Sequence, residues 1–335
     1  MSDDYLFDPR APPDPQVQAL ERALAKFRVR ETAKLPRVAR IGRRTWLAAA
    51  AVVAAAATLL VVVNRHPRWA GVKVGATAVA LDDVEGAVTV DGDRIVCDAG
   101  GHARLRVGDI GWLTLEEKTR VRVVAGCDRG DGAEGEGSYR VDLERGTVSA
   151  RIFAAPRLFW LGTPSAIAVE LGCVYRTTVD DEGHATLAVT RGRVSFESDG
   201  RRVYVPAGAS CRAWPGFGPG TPAWDDSSAE LLAAVVRHDE ARVRGDAGAA
   251  RRALEELLAA TLTADCERPR DSLTLWHLLD PHGEPEPDLR ADVYDRLREL
   301  CPPPSNVTRE RCLAGDADAL AALASWREKL EDDCW

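Results

Sequence analysis

The sequence predicts an all-β domain over residues 82–215 and a small α-helical bundle over 227–335, behind one N-terminal transmembrane helix at 45–63. Three features predict this: a run without charge, a stretch of hydrophobic period two, and a stretch of helical period. The chain has 335 residues, enough for about two domains. With 45% hydrophobic and 29% charged residues it has the composition of globular protein, not of a disordered tail.

The uncharged run is "TWLAAAAVVAAAATLLVVV", nineteen residues, eight of them Ala. As a helix it reaches about 28 Å, close to the hydrocarbon thickness of a bilayer. Its flanks set the orientation. "KFRVRETAKLPRVARIGRR" before it holds eight Lys and Arg, whereas only Arg65, Arg68 and Lys73 follow closely. Positive charge stays cytoplasmic, so residues 1–44 are expected inside and the rest outside. No small-x-small cleavage site follows the run, so an uncleaved anchor in membrane lipid is expected.

Residues 1–44 carry ten Lys/Arg against six Asp/Glu, although the whole chain has a net charge of −8. That balance excludes nucleic acid as the main partner, because phosphate recognition needs clustered cations. Asp14-Pro15 reads as a helix start, an N-cap followed by Pro at the first helical position. Val17, Leu20, Leu24 and Phe27 then share one helical face. So short a helix cannot bury that face alone, which makes it a candidate docking surface.

Residues 64–81 read as a linker. From 82 to 215 apolar and polar residues alternate in "ARLRV", "TRVRVV", "YRVDL", "TVSARI", "HATLAV", "RVSF" and "RVYV". Turn material such as "DGDR", "DAGG", "DDEG" and "ESDG" separates them. Short strands with Gly/Asp turns define an all-β domain, and periodicity leaves sandwich, barrel and solenoid equally open. "WPGFGPGTPAWDD" supplies a Pro/Gly linker over 216–226. Beyond it, "SAELLAAVVRHDEARV", "AGAARRALEELLAATLT", "SLTLWHLL", "ADVYDRLREL" and "DADALAALASWREKL" have helical spacing, with Ser227 or Ser228 as the first cap. About five helices are expected.

Catalytic signals are weak. Ser165 in "TPSA" lacks a nucleophile elbow, His184 follows the "DDEG" turn on a polar position, and Asp180 and Asp181 are turn formers. His277 inside "LTLWHLL" reads as a helix-face residue, and Trp276 and Trp326 as packing residues. No Walker, H-E-x-x-H or C-x-x-C motif occurs. The expectation is therefore a protein without enzymatic activity, metal or cofactor.

Eight cysteines, Cys97, Cys127, Cys173, Cys211, Cys266, Cys301, Cys312 and Cys334, all follow the apolar run. An even number on the exported side suits structural disulfides. Pairing within each domain is expected: Cys97 with Cys127, Cys173 with Cys211, and an unspecified pairing among the four in the helical part.

"RLRVGDIGWLTLEEKTRVRV", the ordered set T-P, G-C-x-Y, D-x-G and V-T-x-G-x-V within 163–196, and "VYVPAGASC" resemble the FecR family of bacterial membrane-anchored regulators. The resemblance covers about residues 82–215. It implies a β-solenoid-like periplasmic domain, and control of an extracytoplasmic-function sigma factor by protein–protein contact. Val174, Leu187, Val189, Val194 and Phe196 would then fill coils, and Gly172, Gly183 and Gly192 would serve corners. The chain departs from the family pattern before the apolar run, where 44 residues replace a folded helical anti-sigma domain and no H-x-x-x-C-x-x-C motif occurs.

The expected function is that of a single-pass bacterial inner-membrane regulator, with its β and helical domains in the periplasm and a cytoplasmic sigma factor as partner. Val17, Leu20, Leu24 and Phe27 would form the partner face. A periplasmic or outer-membrane protein is the expected exported-side partner. The alternative is a periplasmic envelope scaffold for which residues 1–44 serve only as an anchor.

Overall fold

The computed structural model describes residues 72–73, 79–124, 139–153, 155, 157–170, 172–261, 269–279, 287–314 and 317–335. These all belong to one compact unit, 66–335. The apolar run 45–63 and the face made by Val17, Leu20, Leu24 and Phe27 lie outside the described residues. Among the described residues no helix is long and apolar enough to cross a membrane.

The chain builds two antiparallel sheets, adding hairpins to each in turn. It opens with β1 (Val72–Lys73) and β2 (Val79–Glu85), followed by the β3–β4 hairpin (Val88–Asp91, Arg94–Cys97). Then come the β5–β6 hairpin (His102–Val107, Gly111–Leu115), β7 (Thr119–Val124) and the long β8 (Tyr139–Ile152). Next are β9 (Phe159–Gly162), β10 (Ile167–Glu170), β11 (Val174–Val179) and β12 (Ala185–Arg191). The series ends with β13 (Arg193–Ser198), β14 (Arg201–Pro206), β15 (Ala209–Trp214), β16 (Gly218–Pro219) and β17 (Ala223–Trp224).

Pairing puts β1, β2, β5, β6, the second half of β8, β11, β12, β15 and the short β16 and β17 in one sheet. The other sheet holds β3, β4, β7, the first half of β8, β9, β10, β13 and β14. In both, strands lie side by side in the order in which the chain makes them. That progression is the one a solenoid has. The coil is not, because every neighbouring pair among the described strands is antiparallel except β8 with β9. The expectation of a mostly β domain followed by helices therefore holds, and its solenoid-like form is corrected by the antiparallel strand pairing. Tight hairpins explain the difference: β13 and β14 are joined by Asp199 and Gly200 alone, both at positive φ (43° and 82°), the two-residue turn that reverses a strand on its neighbour.

The alternation seen in the sequence becomes burial. In β5, Ala103, Leu105 and Val107 are buried and His102, Arg104 and Arg106 exposed. The inner faces of both sheets share one core, with Leu81, Ile95, Leu105, Leu113, Val121, Leu143, Phe159, Leu187 and Phe196 fully enclosed. Strand β8 crosses from one sheet to the other at Gly146, whose φ is +91°. A Cβ there would lie 2.5 Å from the Thr119 Cα and 2.7 Å from the Lys118 carbonyl oxygen. Thr119 is wholly buried, and its hydroxyl accepts from the Thr147 N–H (2.9 Å) and donates to the Thr147 carbonyl (3.1 Å).

Within residues 216–226, expected as a linker, lie two short strands, β16 and β17. β16 and β17 pair with β15, and 218–224 are buried. Glycine makes this close fit available: a Cβ on Gly220 would stand 2.4 Å from the Asp239 carboxylate. Likewise β1 and the start of β2 fall within the expected linker 64–81.

Among the described residues six α-helices follow: α1 (Ala229–Val243), α2 (Ala247–Thr261), α3 (Ser272–Leu279) after a short 3-10 turn (Pro269–Asp271), α4 (Pro287–Leu300), α5 (Arg309–Leu313) and α6 (Ala317–Asp333). Ser228 caps α1, accepting from the Leu231 N–H. Their core holds Leu231, Leu254, Leu257, Leu275, Val293, Leu297 and Trp326, and Tyr294 meets Trp326 edge-on at 5.4 Å.

Thr119→Val should destabilise the protein by about 1–3 kcal/mol, because it keeps the shape but takes the acceptor from the Thr147 N–H, while the Thr147 carbonyl keeps the Glu116 N–H at 3.1 Å. Thr119→Ser should recover most of that loss. Urea unfolding followed by tryptophan fluorescence measures both.

Candidate functional site

The stretch 163–198 brings together residues that chemistry could use. Pro164 and Ser165 form a turn in which Thr163 Oγ1 accepts from the Ala166 N–H at 3.0 Å. This turn seats the buried Ser165 hydroxyl against the Gly183 carbonyl, to which it donates. Thus the fold does carry Ser165 to the 180–184 turn, but its partner is backbone rather than the His184 ring. Asp180 organises that turn, accepting from the N–H groups of Glu182 (3.0 Å) and His184 (2.8 Å) and meeting His184 Nδ1 at 3.1 Å. Asp180, Glu182 and His184 present ligand atoms within 4.8 Å of one another. All three side chains are substantially open to solvent, and the Asp180 carboxylate is already engaged by the turn. The observed work of the cluster is to close the β11–β12 hairpin.

Val189, Val194 and Phe196 fill the core as the sequence leads one to expect, and so does Leu187. Val174 is only half-buried. The glycine corners also appear: Gly172, Gly183 and Gly192 all have positive φ.

The cysteines divide. Cys301 and Cys334, on α4's end and α6's end, form a disulfide that closes 33 residues of sequence. By loop closure such a bridge contributes roughly 3–4 kcal/mol. Cys127 and Cys266 lie outside the described residues. The expected Cys173–Cys211 bridge is corrected. Cys173 precedes the Val174–Arg191 pair, whereas Cys211 faces Leu187 from β15, two strands from β11. Bridged Cα atoms must approach within about 7 Å, which that register does not allow. The Cys173 thiol instead donates to the Arg193 carbonyl at 2.6 Å. Cys97, Cys211 and Cys312 are buried thiols. Burial, reinforced by Asp98, pushes the Cys97 thiol up to about 11, and burial pushes Cys312 up to about 11. Burial raises Cys211 too. Such thiols behave as small apolar side chains rather than nucleophiles.

The most elaborate polar constellation lies where the helices meet the growing end of the sheets. Strand β14 is the last of its sheet, and an unpaired edge invites foreign strands. Here α3 covers it. His277 Nε2 accepts from the Tyr204 N–H at 3.0 Å, and its Nδ1 lies 2.9 Å from the Leu273 carbonyl, to which it donates. Burial holds the imidazole neutral, with its pKa lowered to about 3. A neutral ring is what the geometry needs, since only it offers an acceptor at Nε2. Trp276 stands edge-on to His277 at 4.8 Å, and Trp335 stacks on it at 6.3 Å.

The other sheet is closed in the same way. Asp239 of α1 accepts from the Thr221 N–H (2.7 Å) and hydroxyl (2.9 Å), and Thr274 donates to the Pro222 carbonyl at 2.9 Å. Arg193 of β13 forms an ion pair with Glu331 of α6 at 2.6 Å, fastening that helix to the sheet. Sequence reasoning missed Asp239 and the edge-capping role of His277. The available signal was "SLTLWHLL" itself, a helix apolar on every side and therefore buried, so its histidine had to find partners. Beside this junction a groove of about 470 Å³ is lined by Glu197, Arg202, Tyr204, Leu320 and Arg327. Arg327 lies over the Tyr204 ring at 4.1 Å and forms an ion pair with Glu331 at 3.1 Å.

The chain is similar to two crystal structures of a candidate anti-sigma factor from Parabacteroides distasonis ATCC 8503. The first, at 1.65 Å, is 16% identical with a TM-score of 0.32, over 43% of this chain and 64% of that one. The second, at 2.50 Å, is 15% identical with a TM-score of 0.32, over 49% and 75%. This chain thus spans less than two thirds of the first structure's length. No protein-family model matches the chain, and no curated protein does.

His277 gives the junction a pH dependence of definite sign. Its folded pKa, about 3, lies below the ordinary 6.5. Its contribution to stability is therefore complete above pH 6.5 and is lost as pH falls toward about 3. His277→Gln should flatten the stability–pH slope in that window by up to about 1.4 kcal/mol per pH unit, read from urea midpoints across the range.

Proposed function

We propose that the protein is a single-pass inner-membrane regulator of the anti-sigma type, which relays a periplasmic state to a cytoplasmic sigma factor by protein–protein contact. In this reading residues 1–44 are cytoplasmic, 45–63 span the membrane, and the two-sheet domain with its helical cap is periplasmic. The observation that carries it is the division of the chain. A basic segment with one amphipathic face is followed by a nineteen-residue run without charge, and then by a folded unit that holds the Cys301–Cys334 disulfide. A disulfide on that side of the run fits an oxidising compartment.

In this reading the unit acts by contact, and its polar groups serve its structure. The groups around Ser165 and His184 hold turns, while His277 and Asp239 hold the helical cap on the sheets. Residues 14–28 would act as a single docking helix, laying Val17, Leu20, Leu24 and Phe27 into a partner groove. The FecR resemblance points to the same class of partner.

Replacing Leu20 and Leu24 by Asp should weaken capture of the cytoplasmic regulator at least about a hundredfold, since two buried leucines contribute roughly 3–6 kcal/mol. Insertion in the membrane should not change. Crosslinking and pull-down from membranes, comparing the full chain, this double variant and a variant lacking residues 1–44, measures it. Capture that survives both changes overturns the docking helix. If all three capture the same periplasmic proteins and nothing cytoplasmic, the protein is an envelope scaffold.

A further inference from the structure

Both sheets carry ion-paired arginines on their outer faces, but one of them also gathers several unpaired ones. On the sheet that contains β4, β7 and the first half of β8, Arg94 pairs with Glu144 at 3.1 Å, and Arg122 and Arg140 pair with Asp142 at 3.1 and 2.7 Å, while Arg120 is exposed and makes no ion pair among the described residues. On the other sheet, Arg176 pairs with Glu116 and Arg212 with Glu240, whereas Arg104, Arg106, Arg151 and Arg191 are exposed and make no ion pair among the described residues. Asp83, opposite Arg104, uses its carboxylate on the Val84 N–H.

Register places three of these cations in one cross-strand row. Arg106 of β5 faces Trp112 of β6, Trp112 faces Arg151 of β8, Arg151 faces Val174 of β11, and Val174 faces Arg191 of β12. Neighbouring strands lie about 4.8 Å apart, so Arg106 and Arg151 flank the indole on both sides. The Arg151 guanidinium sits 5.6 Å from the Trp112 ring centre. Phe153 follows, edge-on to Trp112 at 6.5 Å. Trp112 is 38% exposed and Phe153 57%, which makes them two of the few large apolar side chains that the described surface displays.

We propose that this face docks on the anionic lipid headgroups of the membrane in which the chain is anchored. Guanidinium groups bind phosphate oxygens through paired N–H donors, and Trp and Phe beside them suit the boundary between headgroups and acyl chains. Reach permits it. Lys73 pairs with Ala80, which pairs with Arg106, so the chain enters this sheet in the same row as Trp112. Residues 64–73 can span at most about 35 Å from the end of the apolar run. The arrangement would hold the periplasmic unit against the bilayer through the row of Arg106, Trp112 and Arg151. The proposal rests on the reading that 45–63 span the membrane.

The test uses the full chain in lipid nanodiscs of phosphatidylcholine, with and without phosphatidylglycerol. Two photoreactive phosphatidylglycerol probes are added, one reactive in the headgroup and one in the acyl chain, and adducts are mapped by mass spectrometry. We expect acyl adducts within 45–63 and headgroup adducts on the peptides that hold 106–112 and 151–153. The headgroup adducts should fall about tenfold or more with Arg106→Gln and Arg151→Gln together, and likewise for the unaltered chain at high salt. Acyl adducts in 45–63 without headgroup adducts on the sheet overturn the docking face and leave the anchor standing. Sheet adducts indifferent to salt and to phosphatidylglycerol overturn it as well. No adducts in 45–63 remove the anchor and this proposal with it.

Discussion

Both sheets hydrogen-bond to the same fourteen residues of β8, and the place where that strand changes sheet is held by one side chain. The Thr119 hydroxyl bonds to both polar groups of Thr147, supplying the acceptor for its N–H and sharing its carbonyl with the Glu116 N–H as β8 turns. Gly146 is required at the same point, because Thr119 and the Lys118 carbonyl fill the space that a Cβ would take. Before the crossing β8 continues one sheet, and after it the other. The strands from β9 onward can then be added to both sheets in chain order only because this crossing fixes how they face each other.

A domain that grows in one direction has two ends, and the later one is closed by the helices. That end carries a strand edge, which exposes backbone donors and acceptors unless something covers them. His277 covers the edge with a neutral imidazole, and Asp239 and Thr274 satisfy the short final strands of the other sheet. Leu273 of α3 belongs to the core of the sheets, and Trp335 packs against both cores. The helical part is thus a terminal cap in the physical sense, as a repeating or progressive architecture needs.

Much of this was legible in the sequence. Alternation identified the buried faces of β5, β7, β12 and β14, and the Asp-Gly turns marked the hairpins. Period two, however, says which face of a strand is buried and not which strand lies beside it, so it could not separate paired hairpins from stacked coils. The stretch 216–226 was misread for a related reason. Its Pro and Gly residues forbid regular pairing in most settings, yet here they allow a close approach to Asp239 that no larger residue permits. Cysteine number was likewise a poor guide to pairing. Cys211 and Cys173 occupy apolar positions in the inner layer, where a thiol serves as a small hydrophobe without a bridge.

The contrast between paired and unpaired arginines on the outer faces bears on what the fold requires and what it leaves open. Ion pairs between exposed side chains contribute little to stability, so neutralising Arg94 and Arg122 gains the fold almost nothing, and leaving Arg106 and Arg151 bare costs it almost nothing. Folding is therefore indifferent to where on the outer faces unpaired cations gather. In a chain of net charge −8, an exposed indole set between two such cations answers to no demand of the core. A large exposed apolar patch normally disfavours solubility, and arginines on its flanks add a preference for anions. The fold thus supplies a rigid sheet and leaves its outer surface to be specified by what that surface meets.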